Sequence, residues 1–240
     1  MGFGVKKIYR RWTNPTNRAL YRGTKASGRA SRNPGPSHTA YADALFQEYQ
    51  PAVTAVGEIC PSYAGLSTRT LSDMHALNEN TRFIFFMRDP AKRLISWLKH
   101  SLRKQTGPDG LEYTVLAERV KKAVAERNSG PHQATRYMTT ISTIEAVIPP
   151  EQIFYVFFED LFTQPKIDEM CDFLGVSRFP AKFDRHVNAD TAPSVQLTDE
   201  AYTEVVSSLA EVYETIFAKF GDRVPSAWHH SYAKREAAYV

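Results

Sequence analysis

Hydrophobic and polar positions fall into blocks that predict strands followed by helices. The continuous apolar run Phe83–Met87 is typical of a strand covered on both faces, and Ile153–Phe158 has the same character. Thr54–Gly57 predicts a third short strand. Other stretches repeat apolar residues at three- and four-residue spacing, the helical period. Strands that alternate with helices favour a parallel α/β sheet flanked by helices, and three strands are few for such a sheet.

The helical stretches have recognisable start and stop signals. Gly175 is expected to end one helix, and Thr198 is expected to cap the last long one. The other predicted helices are Leu66–Leu77, the stretch after Asp89, Leu111–Arg127, Gln133–Val147 and Lys166–Leu174.

The stretch Arg82–His100 predicts a strand that runs directly into a helix. Asp89 fits the N-cap position, and Pro90 fits the first helical position, where its missing N–H costs nothing. Arg88 then lies at the carboxyl end of the strand, the edge at which open parallel sheets bind ligands. An arginine fork, the Ser96 hydroxyl and the free N–H groups of a helix N-terminus together suit a phosphate.

Polar residues of the same helix share one face. Lys92, Ser96, His100 and Arg103 follow at helical spacing, while Leu94 and its apolar neighbours occupy the opposite side. For Lys92 and Arg103 alone, the favoured interpretation is the solvated basic face of an ordinary crossover helix.

Composition limits the classes of function. The 240 residues are 42% hydrophobic with a net charge of +4, which suits an anionic nucleotide and is too weak for a nucleic-acid binder. The two cysteines, Cys60 and Cys171, are expected to be free thiols in a reducing compartment. The sequence shows no signal peptide and no apolar run of membrane length, so we expect a cytoplasmic protein.

The ordered motifs resemble the sulfotransferases that use 3′-phosphoadenosine 5′-phosphosulfate (PAPS). The family's 3′-phosphate element is a strand, Arg-Asp/Asn-Pro, a further Arg, and a Ser eight residues after the first Arg. This chain has Arg88-Asp89-Pro90, Arg93 and Ser96 in that register. Three further segments match in the family's order: Val56–Tyr63 before this element, and Thr135–Tyr137 and Ile153–Leu161 after it.

The resemblance implies a P-loop-NTPase-like α/β fold and a transferase. The reaction would move a sulfuryl group from PAPS to a hydroxyl or amine of a carbohydrate, lipid or small alcohol, with no metal. Arg88, Ser96, Arg93 and Tyr137 would bind the nucleotide, although a helix tyrosine is also often simply half-buried. Glu58 is either a catalytic base or a structural carboxylate. Glu159 and Asp160 are expected to pair with arginines at neighbouring strand ends.

The resemblance also divides the chain. Residues 1–40 are predicted to form an irregular basic segment, residues 41–222 the sulfotransferase-like domain, and residues 223–240 a C-terminal tail.

The chain departs from the family near its start. The N-terminal strand and the loop Gly-x-x-Lys-x-Gly-Thr-Thr that wraps the 5′-phosphosulfate are missing, and Gly23–Ser31 is more typical of a flexible basic loop. Lys7 and Ile59 stand where relatives carry a glutamate and a lysine. Two explanations stay open: a sulfotransferase truncated at its N-terminus, which the truncation could inactivate, or a divergent member that has lost catalysis. The alternative function is a non-catalytic homologue that binds a nucleotide or anionic glycan; a nucleotide kinase is disfavoured by the missing Walker loop.

Overall fold

The computed structural model describes residues 55–107, 112–126, 135–184 and 195–235. The chain divides into two compact units, Met1–Pro61 and Ser62–Val240. In the first unit, residues 55–60 form neither helix nor strand. The predicted strand Thr54–Gly57 is therefore wrong over residues 55–57, because no described strand pairs with that backbone. The Gly23–Ser31 segment, Lys7 and Thr54 lie outside the described residues.

From Pro61 onward, the described residues form two strands and a series of helices. The strands are β1 (Phe83–Met87) and β2 (Ile153–Phe157), and short 3-10 helices span Pro61–Gly65, Pro150–Gln152 and Gly221–Arg223. The α-helices, in chain order, are α1 (Thr68–His75), α2 (Pro90–Thr106), α3 (Tyr113–Ala125), α4 (Tyr137–Glu145), α5 (Gln164–Leu174), α6 (Asp199–Ser208), α7 (Ala210–Phe220) and α8 (Ser226–Ala233).

The described strands pair in parallel and end at the same level. Phe83 lies opposite Ile153, and Met87 lies opposite Phe157. The N–H of Phe158 donates to the carbonyl of Met87 at 2.7 Å, which extends the ladder by one bond. The predicted parallel α/β arrangement is confirmed with two strands in the described part, and it places residues 88 and 158 side by side at one sheet edge.

Helix α2 begins as the sequence predicts. The Asp89 carboxylate accepts a hydrogen bond from the Lys92 N–H at 3.0 Å, and Pro90 occupies the first turn. The apolar face of the helix buries Leu94, Leu98 and Leu102. This face packs the helix against the core and leaves the Ser96 side exposed.

The main core lies between the sheet and helices α2, α3, α4, α6, α7 and α8. Residues 223–240, predicted as a tail, include α8, whose Trp228 is fully buried in this core. The predicted domain limits themselves stay predictions. The last long helix is two helices, because Leu209 leaves helical geometry (φ −110°, ψ 10°), while Thr198 caps α6 as predicted. Among the described residues, no helix is long and apolar enough to cross a bilayer.

Candidate functional site

The turn between β1 and α2 is held by side chains that come from distant parts of the chain. The Tyr137 hydroxyl donates to the Arg88 carbonyl at 2.6 Å and accepts from the Arg88 N–H at 3.3 Å. The next N–H, that of Asp89, donates to Oε1 of Glu159 at 3.0 Å. Consecutive backbone groups are thus fixed from α4 and from the end of β2.

The first N–H groups of α2 are also occupied. Pro90 has none, the Ala91 N–H donates to the Tyr213 hydroxyl at 3.3 Å, and the Lys92 N–H donates to Asp89. The Tyr213 hydroxyl in turn donates to Oδ1 of Asp89 at 2.8 Å. The expectation of free N–H groups at this helix start is wrong, because the capping carboxylate and Tyr213 already use them. An anion here must be held by side chains.

The Arg88 side chain lies at the carboxyl end of β1 and is half-buried. Its guanidinium lies over the Phe158 ring, 5.0 Å from the ring centroid, a geometry typical of a cation–π contact. Among the described residues, no carboxylate forms an ion pair with Arg88, Lys92 or Arg93. These three cations are therefore not held in ion pairs by the described chain, although the carboxylates of Asp89 and Glu159 lie at the same turn.

The other predicted nucleotide-binding residues differ in their exposure. Ser96 is exposed on α2, one turn beyond the exposed Lys92. The Arg93 guanidinium lies 6.0 Å from the Tyr137 ring centroid. The structure thus places Arg88, Arg93 and Ser96 at the start of one helix, as the sequence predicts, and their binding roles stay predictions.

Tyr137 lies beneath the turn and not on its surface. Only 2% of the residue is exposed. Burial raises the pKa of its hydroxyl well above the usual range, against a smaller opposing effect of the Arg93 charge. The phenol is therefore neutral and keeps the proton that it donates to Arg88. Its geometry supports a positioning role more directly than the predicted contact with the nucleotide.

Glu159 does not pair with an arginine as expected. Its Oε1 accepts from Asp89 and its Oε2 accepts from the Trp228 indole N–H at 2.8 Å. Two buried N–H donors within reach take both carboxylate oxygens, which explains the difference.

Glu58, the predicted base, lies in the first compact unit and is half-buried. Its catalytic role stays a prediction. In the described part of the chain, no group of His, Cys, Asp and Glu residues is placed to hold a metal ion. Among the described residues, neither Cys60 nor Cys171 forms a disulfide.

Several residues of this site carry no role in the sequence-based prediction. Phe158 directly follows β2, so the rule that ligand sites gather at carboxyl strand ends could have identified it. Tyr213 and Trp228 carry no comparable local signal, because they reach the turn only through the packing of α7 and α8.

Comparisons with known proteins agree on one family. Residues 66–192 match the family model of the sulfotransferase domain, which is more than half of the chain. The fold is similar to the crystal structure of a sulfotransferase from Alicyclobacillus acidocaldarius, with a TM-score of 0.57 and 20% identity over 80% of this chain and 73% of that chain. No curated protein sequence matches. Because the family match includes both strands and the turn after β1, this chain belongs to the sulfotransferase domain family.

Proposed function

We propose that this chain binds the 3′-phosphate of PAPS through Arg88 and Ser96, and that it is a sulfotransferase. The observation that carries the proposal is the Arg88 guanidinium. It lies at the carboxyl end of a parallel strand on a braced backbone, with no carboxylate partner among the described residues. We call Arg88 and Ser96 the 3′-phosphate half-site.

The chemistry of the half-site suits a phosphate group. A guanidinium presents N–H donors in a planar fork that matches two phosphate oxygens, and a serine hydroxyl adds a neutral donor. The Phe158 ring limits the directions that the Arg88 side chain can take. Lys92 and Arg93 add positive charge nearby. Because the backbone N–H groups of the turn are occupied, these side chains would supply nearly all of the contacts to the 3′-phosphate.

In the proposed reaction, PAPS supplies the sulfuryl group that an acceptor hydroxyl or amine receives. Arg88 and Ser96 would hold the nucleotide by the phosphate that does not react, which is a positioning task. Glu58 is the proposed base for the acceptor proton. The acceptor would be a carbohydrate, a lipid or a small alcohol.

A second candidate is a non-catalytic homologue that binds the nucleotide alone. It is favoured by Ile59, which is 68% exposed and uncharged at the position where relatives carry a lysine that contacts the sulfonate. The two candidates share the half-site and differ in turnover. Transfer of labelled sulfate from PAPS to a panel of hydroxyl acceptors would separate them, because only the enzyme forms sulfated product.

Calorimetric titration tests the half-site. The wild-type protein should bind 3′-phosphoadenosine 5′-phosphate with micromolar affinity, about −8 kcal/mol. Adenosine 5′-phosphate, which lacks the 3′-phosphate, should bind much more weakly. Arg88→Ala should cost about 2–3 kcal/mol, roughly a 30- to 150-fold loss, because it removes charge-assisted hydrogen bonds.

Arg82 provides a matched control at the opposite end of β1. Its guanidinium lies 5.3 Å from the Phe173 ring centroid, so it makes the same kind of aromatic contact as Arg88. Arg82→Ala should leave the affinity unchanged. Equal losses in the two variants, or equal affinity for the two nucleotides, would contradict the proposed function.

A further inference from the structure

Glu159 connects the half-site to the C-terminal helix α8. It follows β2 at the sheet edge where Arg88 follows β1, and its two carboxylate oxygens have different partners. Oε1 accepts from the Asp89 N–H at 3.0 Å, and Oε2 accepts from the Trp228 indole N–H at 2.8 Å. The Glu159 side chain thus joins the turn next to Arg88 to helix α8, which begins at Ser226, 67 residues after Glu159.

Both donors depend on this carboxylate. Asp89 and Trp228 are each 0% exposed, so water cannot replace a lost acceptor without a rearrangement. A buried N–H group without an acceptor is costly. A carboxylate accepts at both oxygens, whereas a glutamine has one carbonyl oxygen and an NH₂ group that is itself a donor. Glutamate suits this position because both of its neighbours donate.

Trp228 is well placed to anchor Glu159. Its ring contacts those of Tyr137, Phe157 and Tyr213, with centroid separations of 6.1, 5.3 and 6.1 Å. Tyr137 and Tyr213 are the residues whose hydroxyls bond the backbone of Arg88 and Ala91. The indole therefore contacts the rings of both tyrosines that brace the turn, and it also bonds the carboxylate that completes the bracing.

We propose that Glu159 is a positioning residue for the 3′-phosphate half-site, anchored by Trp228, so that α8 supports anion binding at Arg88. This inference rests on the proposed function for the identity of the anion. Neither side chain need contact the nucleotide. Glu159 fixes the Asp89 N–H, Tyr137 fixes the Arg88 backbone, and together they set the direction in which the Arg88 side chain leaves the sheet.

The first test measures preference for the 3′-phosphate, defined as the affinity for 3′-phosphoadenosine 5′-phosphate divided by that for adenosine 5′-phosphate. Glu159→Gln should lower this ratio about tenfold, the effect of one disturbed hydrogen bond in a buried setting. Glu145→Gln is the matched control. Glu145 also joins two donors, the Tyr155 hydroxyl and the Lys219 ammonium, but it does not bond the turn. Its replacement should leave the ratio unchanged.

The second test needs no ligand. Amide exchange at Asp89, followed by NMR, should be about tenfold faster in Glu159→Gln than in the wild type, and unchanged in Glu145→Gln. Trp228→Phe keeps an aromatic ring but removes the indole donor. In a protein that already carries Glu159→Gln, Trp228→Phe removes the competing donor, so the glutamine carbonyl can accept from the Asp89 N–H. The double variant should therefore recover part of the lost 3′-phosphate preference. A merely structural role predicts a further loss instead.

The outcomes separate the two proposals. If the wild type shows no preference for the 3′-phosphate, the proposed function fails, and the positioning role for an anion fails with it. If the wild type shows the preference, and Glu159→Gln changes neither the ratio nor Asp89 exchange, the proposed function stands and the role of Glu159 is overturned. A folded Glu159→Gln protein with a lowered ratio and faster exchange supports both.

Discussion

The hydroxyl of Tyr137 bonds both backbone groups of Arg88. It donates to the carbonyl at 2.6 Å and accepts from the N–H at 3.3 Å. Arg88 follows the last residue of β1, where the ladder no longer pairs its backbone. A side chain from α4 therefore bonds the backbone where the pairing of the sheet ends. This bonding does not use the Arg88 guanidinium, which stays available to a ligand.

Tyr137→Phe should destabilise the protein by about 1–3 kcal/mol, because it removes the hydroxyl that bonds both the N–H and the carbonyl of Arg88 while the ring stays in place. Urea unfolding measures the change. Tyr155→Phe is the control, since that hydroxyl bonds Glu145 at the exposed surface and should cost less. A Tyr137→Phe loss no larger than that of Tyr155→Phe would show that the bond pair contributes little.

Local signals predict the parts of this site that local chemistry determines. The apolar run of β1, the Asp89 cap and Pro90 lie within eight residues, and each was correctly placed from sequence. Tyr137, Glu159 and Trp228 reach the turn from 49 to 139 residues away in sequence. Their roles depend on how the sheet and α8 pack, which periodicity does not encode.

Two predictions about this turn are wrong because they depend on contacts between residues that are distant in sequence. An N-cap carboxylate and a proline predict a helix start, but they do not say whether its N–H groups are occupied by a side chain as distant as Tyr213. The sequence predicts an arginine partner for Glu159, because Arg88 follows the neighbouring strand. The two N–H donors that it binds become visible only in three dimensions.

Ser96→Ala should weaken binding of 3′-phosphoadenosine 5′-phosphate by about 1–2 kcal/mol, roughly 5- to 30-fold, because it removes one hydroxyl donor to a charged group. Stability should rise by a few tenths of a kcal/mol, since alanine is the better helix former at this exposed position. Ser101→Ala lies on the same helix and serves as the control. If the two variants lose equal affinity, Ser96 is not part of the half-site.

Two tyrosines at the turn should make the protein sensitive to alkali. Burial raises the pKa of Tyr137 and of Tyr213 above the ordinary value of 10.0, and the Asp89 carboxylate raises that of Tyr213 further. Below pH 10 both phenols are neutral in the folded and unfolded chains. Above it the unfolded chain releases protons that the folded chain keeps, so the free energy of unfolding falls by about 1.4 kcal/mol per pH unit for each tyrosine.

Urea unfolding at several pH values above 10 measures this slope. Tyr213→Phe should make the slope shallower by about 1.4 kcal/mol per pH unit, even though the variant is less stable throughout. The slope is informative because a lost hydrogen bond shifts the whole curve without changing its pH dependence. A slope identical to that of the wild type would show that Tyr213 ionises normally in the folded protein.

Phe158 should matter to nucleotide binding although it offers no hydrogen bond. Its ring lies under the Arg88 guanidinium at 5.0 Å and meets the Phe162 ring edge to face at 5.0 Å. Phe158→Leu removes the cation–π contact, worth about 0.5–1 kcal/mol at a partly exposed site, and lets the arginine sample other rotamers. A loss of about 0.5–1 kcal/mol corresponds to roughly two- to fivefold weaker binding of 3′-phosphoadenosine 5′-phosphate, which is the expected result.

Phe162→Leu is the matched control for Phe158→Leu, because Phe162 has the same side chain, is 56% exposed and contacts Phe158. Calorimetric titration of both variants should show the loss only in Phe158→Leu. Phe158→Tyr should bind like the wild type, since a phenol ring also attracts a guanidinium. Equal losses in the two leucine variants would instead indicate that the aromatic pair acts as a unit, for example as a surface for the nucleotide base, and not through Arg88.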